Sequence, residues 1–379
     1  MRAAAFLAAL ALVAASANAQ DPSPEQGRIW KGTLGDTPIT ACFVLPETGY
    51  SAYYRDALLE PVRLEMRDTA APTILTEATG ADDPTGAIWT MQPQGETAMT
   101  GEWRKGAEVL PIRLTATPVD VPDYASACKA EAFIEPLLAG GTYTRKSASL
   151  DGESYTEIAY AGPKRAGLDD YHVVSFALDP VWPGDAAINA MLAAALPDCT
   201  AAHLMGQCAM SFLPNAGVPG YIDEAQVPIL ITRRWLALRY SGSSYCGGAH
   251  PYNFNNLVVY DRQSGARVDP AAWFTPRALI FYDWEPEPGG IRPIKRPSDA
   301  LTDAVIARWP KGARDPECLE AARDGLGFGW QIGLTRKGPV FVPQFPHVLF
   351  ACTEEVTLPW KAARRFLSPE GRAIAARLR

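Results

Sequence analysis

The sequence lacks most of the short motifs by which catalytic and metal-binding proteins are recognised. It has no Cys-x-x-Cys pair and, among its four histidines, no His-x-x-x-His or His-x-x-Glu spacing. Zinc ribbons, thioredoxin-type redox pairs and metalloprotease helices therefore find no support. The absence of a Gly-Lys dipeptide excludes a Walker loop, and no Gly-x-Ser-x-Gly elbow of a serine hydrolase occurs. We expect no cofactor and no bound metal.

Positive charge and long apolar runs are also scarce. The chain carries 35 basic and 42 acidic residues, a formal net charge of −7 at pH 7. Such a balance gives no general attraction to nucleic acid, so we expect no nucleic-acid partner. The last stretch, 369–379, is an exception and predicts a basic C-terminal helix or tail that faces solvent. Beyond the N-terminus no apolar run reaches membrane-spanning length, which predicts no transmembrane segment in the mature chain.

The N-terminus has the pattern of a secretory signal peptide. Arg2 supplies a positive charge, and residues 3–15 form an apolar run rich in Ala and Leu. The segment Ala17-Asn18-Ala19 matches the small-x-small cleavage pattern. We therefore expect residues 1–19 to be removed near Ala19, leaving a periplasmic or secreted protein.

Cysteines are few but all lie in the exported part. They are Cys42, Cys128, Cys199, Cys208, Cys246, Cys318 and Cys352. An oxidising compartment favours disulfides over metal thiolates. We expect Cys318 to pair with Cys352, because both lie in one C-terminal module. We expect Cys42 to pair with Cys128, which would tie the start of the N-terminal module to its exit. The other three can form only one bridge among themselves, and the sequence leaves open which cysteine stays unpaired.

Glycine and proline are abundant, at 31 and 33 residues, which indicates many turns and favours short strands over long helices. Residues 20–118 contain short aromatic and β-branched runs separated by Gly, Pro and Asp. They predict a small antiparallel β domain. Prolines near 118–122 mark a boundary, and we interpret 119–139 as a linker.

From residue 140 onward the pattern is mixed. Runs at 142–160 and 227–240 each predict one long strand, with a hairpin partner for the latter at 257–260. Pro183-Gly184-Asp185 opens a helix, and Ser298-Asp299 caps another. Few helices among many strands predict an α+β fold rather than a doubly wound sheet. We expect one α+β domain over 140–368, in two sub-parts of about 140–240 and 241–368.

The segment from Tyr245 to Pro251 carries a family resemblance. Gly247-Gly248-Ala249-His250-Pro251 precedes a strand that ends at Tyr260-Asp261, and Ser264-Gly265 and Val268-Asp269-Pro270-Ala271-Ala272-Trp273-Phe274 follow. This order resembles the RsiV-type domain family, domain of unknown function 3298 with its usual partner domain. Residues 185–192 look like the opening helix of that partner domain. Gly338 to Pro343 and Pro346-His347-Val348 look like the family's final hairpin.

The resemblance implies a mixed α+β fold and a link to cell-wall biology, because RsiV-type domains occur in a lysozyme-sensing anti-sigma factor and beside some peptidoglycan deacetylase domains. This chain has neither a sigma-binding segment nor a deacetylase domain, so neither activity carries over. Its extra cysteines and N-terminal β module indicate a secreted Gram-negative branch of the family.

His250 is the sharpest catalytic candidate, since Cys246 and Asp261 could complete a Cys-His-Asp set. A structural interpretation is stronger, because Gly247 and Gly248 permit unusual backbone angles and His250 would then lock the turn by bonding a neighbouring carbonyl. We therefore assign no catalytic residue.

The same segment is the predicted binding surface. Its members are Tyr245, Gly247, Gly248, His250, Tyr252 and Phe254. Exposed aromatic rings stack on sugars or anchor a protein partner. The sequence thus predicts a non-enzymatic periplasmic binding protein that recognises a cell-wall glycan or a lysozyme-like protein. Two alternatives stay open: an envelope polysaccharide hydrolase that uses carboxylates or His250 as acid and base, and a structural envelope interaction protein.

Overall fold

A computed structural model of the chain describes residues 26–44, 51–68, 72–79, 84–121, 127–165, 170–198, 208, 220–247, 249–284, 291–324 and 327–378. The predicted signal peptide, Cys199 and Gly248 lie outside the described residues.

The N-terminal part is a closed antiparallel barrel of eight strands. The strands are β1 (Gln26–Leu34), β2 (Thr37–Cys42), β3 (Ser51–Arg55), β4 (Pro61–Asp68), β5 (Thr73–Ala78), β6 (Pro84–Pro93), β7 (Ala98–Lys105) and β8 (Glu108–Asp120). Each strand pairs with the next, and β1 also pairs with β8 from Gln26 opposite Asp120 to Leu34 opposite Ile112. This closure removes the open edges that a flat sheet would expose.

The barrel interior follows from the two-residue period of its strands. In β6, for example, Ala87, Trp89 and Met91 are buried while the residues between them face outward. The carboxylate of Glu77 lies in this core, and the residue is buried. Its Oε1 accepts hydrogen bonds from the Tyr53 hydroxyl at 2.8 Å, Trp89 Nε1 at 2.8 Å and Trp103 Nε1 at 2.6 Å. The carboxylate is therefore solvated by the ring donors of the barrel itself.

A second sheet has seven strands in the order β15-β14-β13-β12-β11-β10-β9. They are β9 (Thr142–Leu150), β10 (Glu153–Ala161), β11 (Tyr171–Leu178), β12 (Tyr221–Ile231), β13 (Trp235–Tyr245), β14 (Tyr252–Asp261) and β15 (Arg267–Val268). Only β11 and β12 pair in parallel. Helix α2 (Asp185–Ala193) lies in their connection and buries Ile188 and Leu192 against the sheet.

A third sheet has five strands, in sequence order, and packs against the second. They are β16 (Leu279–Phe281), β17 (Ile294–Pro297), β18 (Gly329–Leu334), β19 (Pro339–Gln344) and β20 (Val356–Thr357). The two sheets share one apolar core, to which Leu230 and Val259 contribute from the larger sheet and Trp330 and Phe341 from the smaller one. Helices α3 (Asp299–Ile306), α4 (Pro316–Asp324), α5 (Trp360–Ala363) and α6 (Pro369–Arg377) surround this core.

Helix α1 (Glu131–Leu138) joins the barrel to the second sheet. Its buried side chains, Phe133 among them, pack in one cluster with Tyr54 of the barrel and Tyr160 of β10. The Tyr54 hydroxyl donates to the Phe133 carbonyl at 3.3 Å, and the Cys42–Cys128 disulfide lies in the same cluster. Apolar packing and a covalent bond therefore hold the barrel in place.

A buried ion pair fixes the start of α2. Asp185 and Arg262 are both buried, and the guanidinium donates to the carboxylate through Nε at 2.8 Å and Nη2 at 2.9 Å. Burial alone would raise the pKa of Asp185, but the hydrogen bonds and charge of Arg262 and the backbone N–H groups of Trp182 and Val181 hold it below its ordinary value. The pair ties the helix to the turn that follows β14.

Three disulfides join cysteines among the described residues. The predicted pairs Cys42–Cys128 and Cys318–Cys352 are confirmed. The third bridge joins Cys208 to Cys246, so the bridge that the sequence left open excludes Cys199. Within the described parts of the chain, no helix is long and apolar enough to cross a membrane.

The predicted fold class, a small antiparallel β domain followed by a mixed α+β domain, is wrong. The chain is mostly β, with a closed barrel and two further sheets. Part of the error lies in strand counting. The run 142–160 forms two strands, β9 and β10, because Asp151 and Gly152 turn with φ values of 58° and 85°. The run 227–240 also breaks in two, because Thr232 Oγ1 accepts the Trp235 N–H at 2.8 Å and closes a turn.

Candidate binding cleft

The segment with the family resemblance connects β13 to β14, and the structure does not assemble it into a Cys-His-Asp set. Cys246 is bonded to Cys208. Asp261 lies at the opposite end of β14, where it accepts from Arg234 Nη2 at 2.7 Å. Gly247 has a φ of 94°, in the region that glycine adopts without strain. A disulfide sulfur is no nucleophile, so this constellation offers no covalent catalysis.

His250 contacts two groups. Its Nδ1 lies 3.0 Å from the carbonyl oxygen of Pro251, which agrees with a turn-locking role. Its ring also stacks on the ring of His347, with centroids 4.3 Å apart and planes 10° from parallel. His347 Nδ1 lies 3.4 Å from Nδ2 of Asn253. The connection before β14 and the 3-10 helix His347–Cys352 therefore contact each other through a pair of imidazoles.

These histidines stand at one side of a cleft of about 710 Å³ between the two sheets. Its lining comes from the start of β14, from β18 and β19, and from the 3-10 helix His347–Cys352. The lining residues are His250, Pro251, Tyr252, Asn253, Phe254, Asn256, Phe328, Gln331, Gln344, Phe345, Pro346, His347, Val348, Phe350 and Thr353. This volume lies within the usual range of small-molecule sites.

Large apolar side chains stand exposed around the cleft. Tyr252 is 66% exposed, Phe328 74% and Val348 84%. The Tyr252 ring stacks on Phe254 at 5.6 Å, and Phe254 in turn packs edge-on against Tyr240 at 4.7 Å. Phe254 is buried, so it supports the Tyr252 ring from below. The cleft thus presents a ring whose orientation is set by the packing beneath it.

Side-chain amides form the floor of the cleft. Strand β15 pairs with β14 only at Val259 and Tyr260, so the outer edge of β14 before them borders the cleft. Gln331 Oε1 accepts the Leu257 N–H at 2.6 Å, and Gln344 Nε2 donates to the Asn255 carbonyl at 2.9 Å. The two glutamine side chains therefore hydrogen-bond backbone groups at the open edge of β14. A further strand would otherwise bond these groups.

A buried carboxylate lies behind the packed rings of Tyr252, Phe254 and Tyr240. Glu224 is buried on β12, and its Oε2 accepts the Tyr240 hydroxyl at 2.6 Å. Burial raises the pKa of Glu224, against the lowering effect of that hydrogen bond. Burial and the neighbouring Glu224 raise the pKa of Tyr240 as well. Tyr240 therefore stays a neutral donor, and it holds the ring stack of Phe254 and Tyr252 in place.

The titratable groups of the cleft decide which chemistry it supports. Among the described residues, the lining contains His250, His347 and the Tyr252 hydroxyl but no Asp or Glu. Glycoside hydrolysis normally uses two carboxylates on either side of the scissile bond. The described residues also contain no group of three or more His, Cys, Asp or Glu that would hold a metal ion. The geometry favours binding through ring faces, amides and imidazoles.

The structure brings three of the predicted binding residues together and separates others. His250, Tyr252 and Phe254 line the cleft, whereas Tyr245 and Gly247 do not, and Gly248 lies outside the described residues. Sequence reasoning did not assign His347, Phe328, Gln331 or Gln344 to the site. The only available signal was the family-like segment Pro346-His347-Val348, which was noted as a hairpin and not as part of a site.

Two solved structures of DUF3298 family proteins are similar to part of this chain at low sequence identity. No family model matches the chain, and no curated protein matches it. A DUF3298 family protein of Pseudomonas aeruginosa is 13% identical over 62% of this chain and 97% of its own, with a TM-score of 0.33. A DUF3298 family member from Bacteroides fragilis is 14% identical over 63% of this chain and 96% of its own, with a TM-score of 0.39. The RsiV-type assignment stays a prediction.

Proposed function

We propose that this protein is a non-enzymatic binding protein of the cell envelope and that the cleft beside His250 and His347 is its recognition site. The observation that carries the proposal is the exposed Tyr252 ring, held by Phe254 beneath it and facing a concave surface. Exposed apolar groups around a cleft indicate a binding surface, because isolated proteins otherwise bury such groups.

The composition of the cleft favours a cell-wall glycan as the ligand. Sugar rings have apolar C–H faces that stack on aromatic rings, and hydroxyl or acetamido groups that pair with amides. Tyr252 and Phe328 offer the ring faces, while Asn253 and Gln344 offer amide oxygens. The Gln331 amide is held by Leu257 and Asn256 and only shapes the cleft. The described lining brings no carboxylate, which suits a ligand that is held rather than cleaved.

The predicted export of the chain supports an envelope location. A signal-like N-terminus and three disulfides both fit an oxidising compartment outside the cytoplasm. A ligand of the cell wall would be accessible there.

The test is co-sedimentation of oxidised protein with purified sacculi. We expect wild-type protein to sediment, and the double variant Tyr252→Ala/Phe328→Ala to bind about tenfold or more weakly, since buried aromatic anchors dominate recognition energies. Trp284→Ala is the matched control, because Trp284 is an exposed aromatic residue that does not line the cleft. Equal binding by the double variant and the wild type would remove the cleft from the proposal.

The partner class is separated by calorimetry with C-type lysozyme. Saturable heat with lysozyme and no sedimentation with sacculi would make the ligand a lysozyme-like protein, with Phe328 and Val348 as its apolar anchors. Release of soluble sugar fragments from sacculi by wild-type protein would contradict the non-enzymatic proposal and favour the hydrolase alternative.

A further inference from the structure

Basic side chains are concentrated near the C-terminus of this acidic chain. The described residues 360–378 contain one acidic residue, Glu370. Their exposed basic residues are Lys361, Arg364, Arg365, Arg372 and Arg377. The formal charge of the whole protein is −7, so this segment departs locally from the overall balance.

The backbone that carries these residues is anchored on both sides. Trp360 is buried at the start of α5, and its Nε1 donates to the Arg336 carbonyl at 2.9 Å. The Ser368 hydroxyl oxygen caps α6 by accepting the Gly371 N–H at 3.1 Å. A Cβ at Gly371 would stand 2.1 Å from the Trp273 carbonyl oxygen, so α6 lies directly on that segment. The positions of the basic residues on the surface are therefore defined by packing.

Two of the arginines face a common space. Arg364 and Arg372 line a cleft of about 180 Å³ together with Trp360, Ala375 and Ala376. None of the other described lining residues brings a carboxylate. Two guanidinium groups that share a small cleft repel each other, and an anion between them would turn that repulsion into attraction.

Several other arginines of the protein form ion pairs with nearby carboxylates. Arg239 pairs with Glu355 at 3.0 Å, Arg323 with Asp303 at 2.6 Å and Arg336 with Asp151 at 2.6 Å. In the parts of the chain that the structure describes, neither Arg364 nor Arg372 forms an ion pair or donates a side-chain hydrogen bond. Their donors are available to a ligand.

We propose that Arg364 and Arg372 form an anion site that holds a phosphate group. The planar guanidinium presents paired N–H donors that match two phosphate oxygens, and two such groups together match its negative charge. The small side chains of Ala375 and Ala376 leave room beside the arginines. This site shares no lining residue with the cleft at His250, so it stands independently of the proposed glycan site.

Thermal unfolding with inorganic phosphate tests the site. At constant ionic strength, replacing chloride by phosphate is expected to raise the Tm of wild-type protein by about 2–4 °C, because a ligand that binds only the folded state stabilises it. The variant Arg364→Ala/Arg372→Ala is expected to lose this shift. The variant Arg364→Lys/Arg372→Lys keeps both charges but loses paired donation, and is expected to retain a reduced shift.

A local control separates a defined site from diffuse attraction. Arg365→Ala/Arg377→Ala removes the same charge from the same segment but spares the two residues in the cleft. It is expected to keep at least half of the phosphate shift. An equal loss in this control and in Arg364→Ala/Arg372→Ala would overturn the proposal, as would a wild-type protein that responds to neither phosphate nor vesicles.

The source of the phosphate is resolved by vesicle flotation. Wild-type protein is mixed with vesicles of phosphatidylcholine alone or with phosphatidylglycerol added. Flotation only with phosphatidylglycerol, lost in Arg364→Ala/Arg372→Ala, assigns the site to a phosphate carried on a lipid headgroup. A Tm shift with inorganic phosphate and no flotation assigns it to a soluble phosphate compound.

Discussion

The barrel and the two-sheet part, which comprises β9–β20 and their helices, each bury a carboxylate. The two regions offset the cost of burying that group in different ways. In the barrel, neutral donors from Tyr53, Trp89 and Trp103 converge on Glu77. In the two-sheet part, Asp185 is held by the cation of Arg262. Hydrogen bonds alone spread the negative charge over ring donors, whereas an ion pair cancels it. Neutral donors suit the barrel interior, where aromatic side chains surround the carboxylate. The ion pair links two segments that are distant along the chain.

Removal of Arg262 is expected to have the largest effect. The variant Arg262→Met leaves the buried Asp185 carboxylate without its cation, which we expect to lower the free energy of unfolding by about 3–5 kcal/mol at pH 7. The pKa of Asp185 is lowered in the folded state, so its stabilising contribution is present above the ordinary carboxyl pKa and is lost as the pH falls through the folded value. Denaturant unfolding from pH 7 to acidic pH measures both.

The matched control for that variant is Arg234→Met. Arg234 pairs with Asp261 at 2.7 Å, but its side chain is 54% exposed. Because solvent screens such a pair, we expect a loss below about 1 kcal/mol. Similar losses in the two variants would show that burial does not distinguish these ion pairs.

Replacement of Glu77 by Gln is expected to have a smaller effect. The amide oxygen can still accept from Tyr53, Trp89 and Trp103, but without the charge that strengthens these bonds. We expect a loss of about 1–2 kcal/mol and a change in tryptophan fluorescence, since two of the donors are indoles. Glu102→Gln, on the exposed surface of the same barrel, should leave both unchanged. A fluorescence change in Glu102→Gln would contradict a local effect at Glu77.

The smallest effect is expected at Glu224, and it has the opposite sign. Burial raises the pKa of Glu224, so its contribution to stability is complete below the ordinary carboxyl pKa and is lost as the pH rises through the folded value. The variant Glu224→Gln should therefore be more stable than wild type by up to about 1 kcal/mol at pH 8 and equal to it at pH 4. Melting curves at the two pH values give the comparison. A variant that loses stability at pH 8 would show that the Tyr240 hydrogen bond outweighs burial.

Local pattern predicted several elements of the two-sheet part. Helices α2 and α3 begin at Asp185 and Asp299, where the sequence predicts them, although the Ser298 side chain makes no capping hydrogen bond. Such start signals lie within a few neighbouring residues. Closure of the barrel depends instead on the pairing of Gln26 with Asp120, across most of that part of the chain. Periodicity within a strand does not encode its partner, so the closed form was missed.

The candidate cleft also combines residues that the local sequence indicates with residues that only the tertiary fold brings to it. His250 and Tyr252 could be selected because an unusual Gly-Gly turn stands beside them in sequence. His347 stacks on His250 only because β18 and β19 fold back along β14. The exposure of Phe328 likewise results from tertiary packing, since an isolated Phe after a turn signals neither core nor surface.

The pairing of β1 with β8 has a consequence for how fast the molecule folds. Strand β1 gains its last partner only when residues 112–120 arrive, after all the intervening hairpins. Bringing strands so distant along the chain together costs conformational entropy before their hydrogen bonds and apolar contacts can form. Such long-range pairing slows folding. Until that moment both terminal strands keep open edges. The barrel is therefore expected to form late, and its incomplete state is the one most prone to associate with other chains.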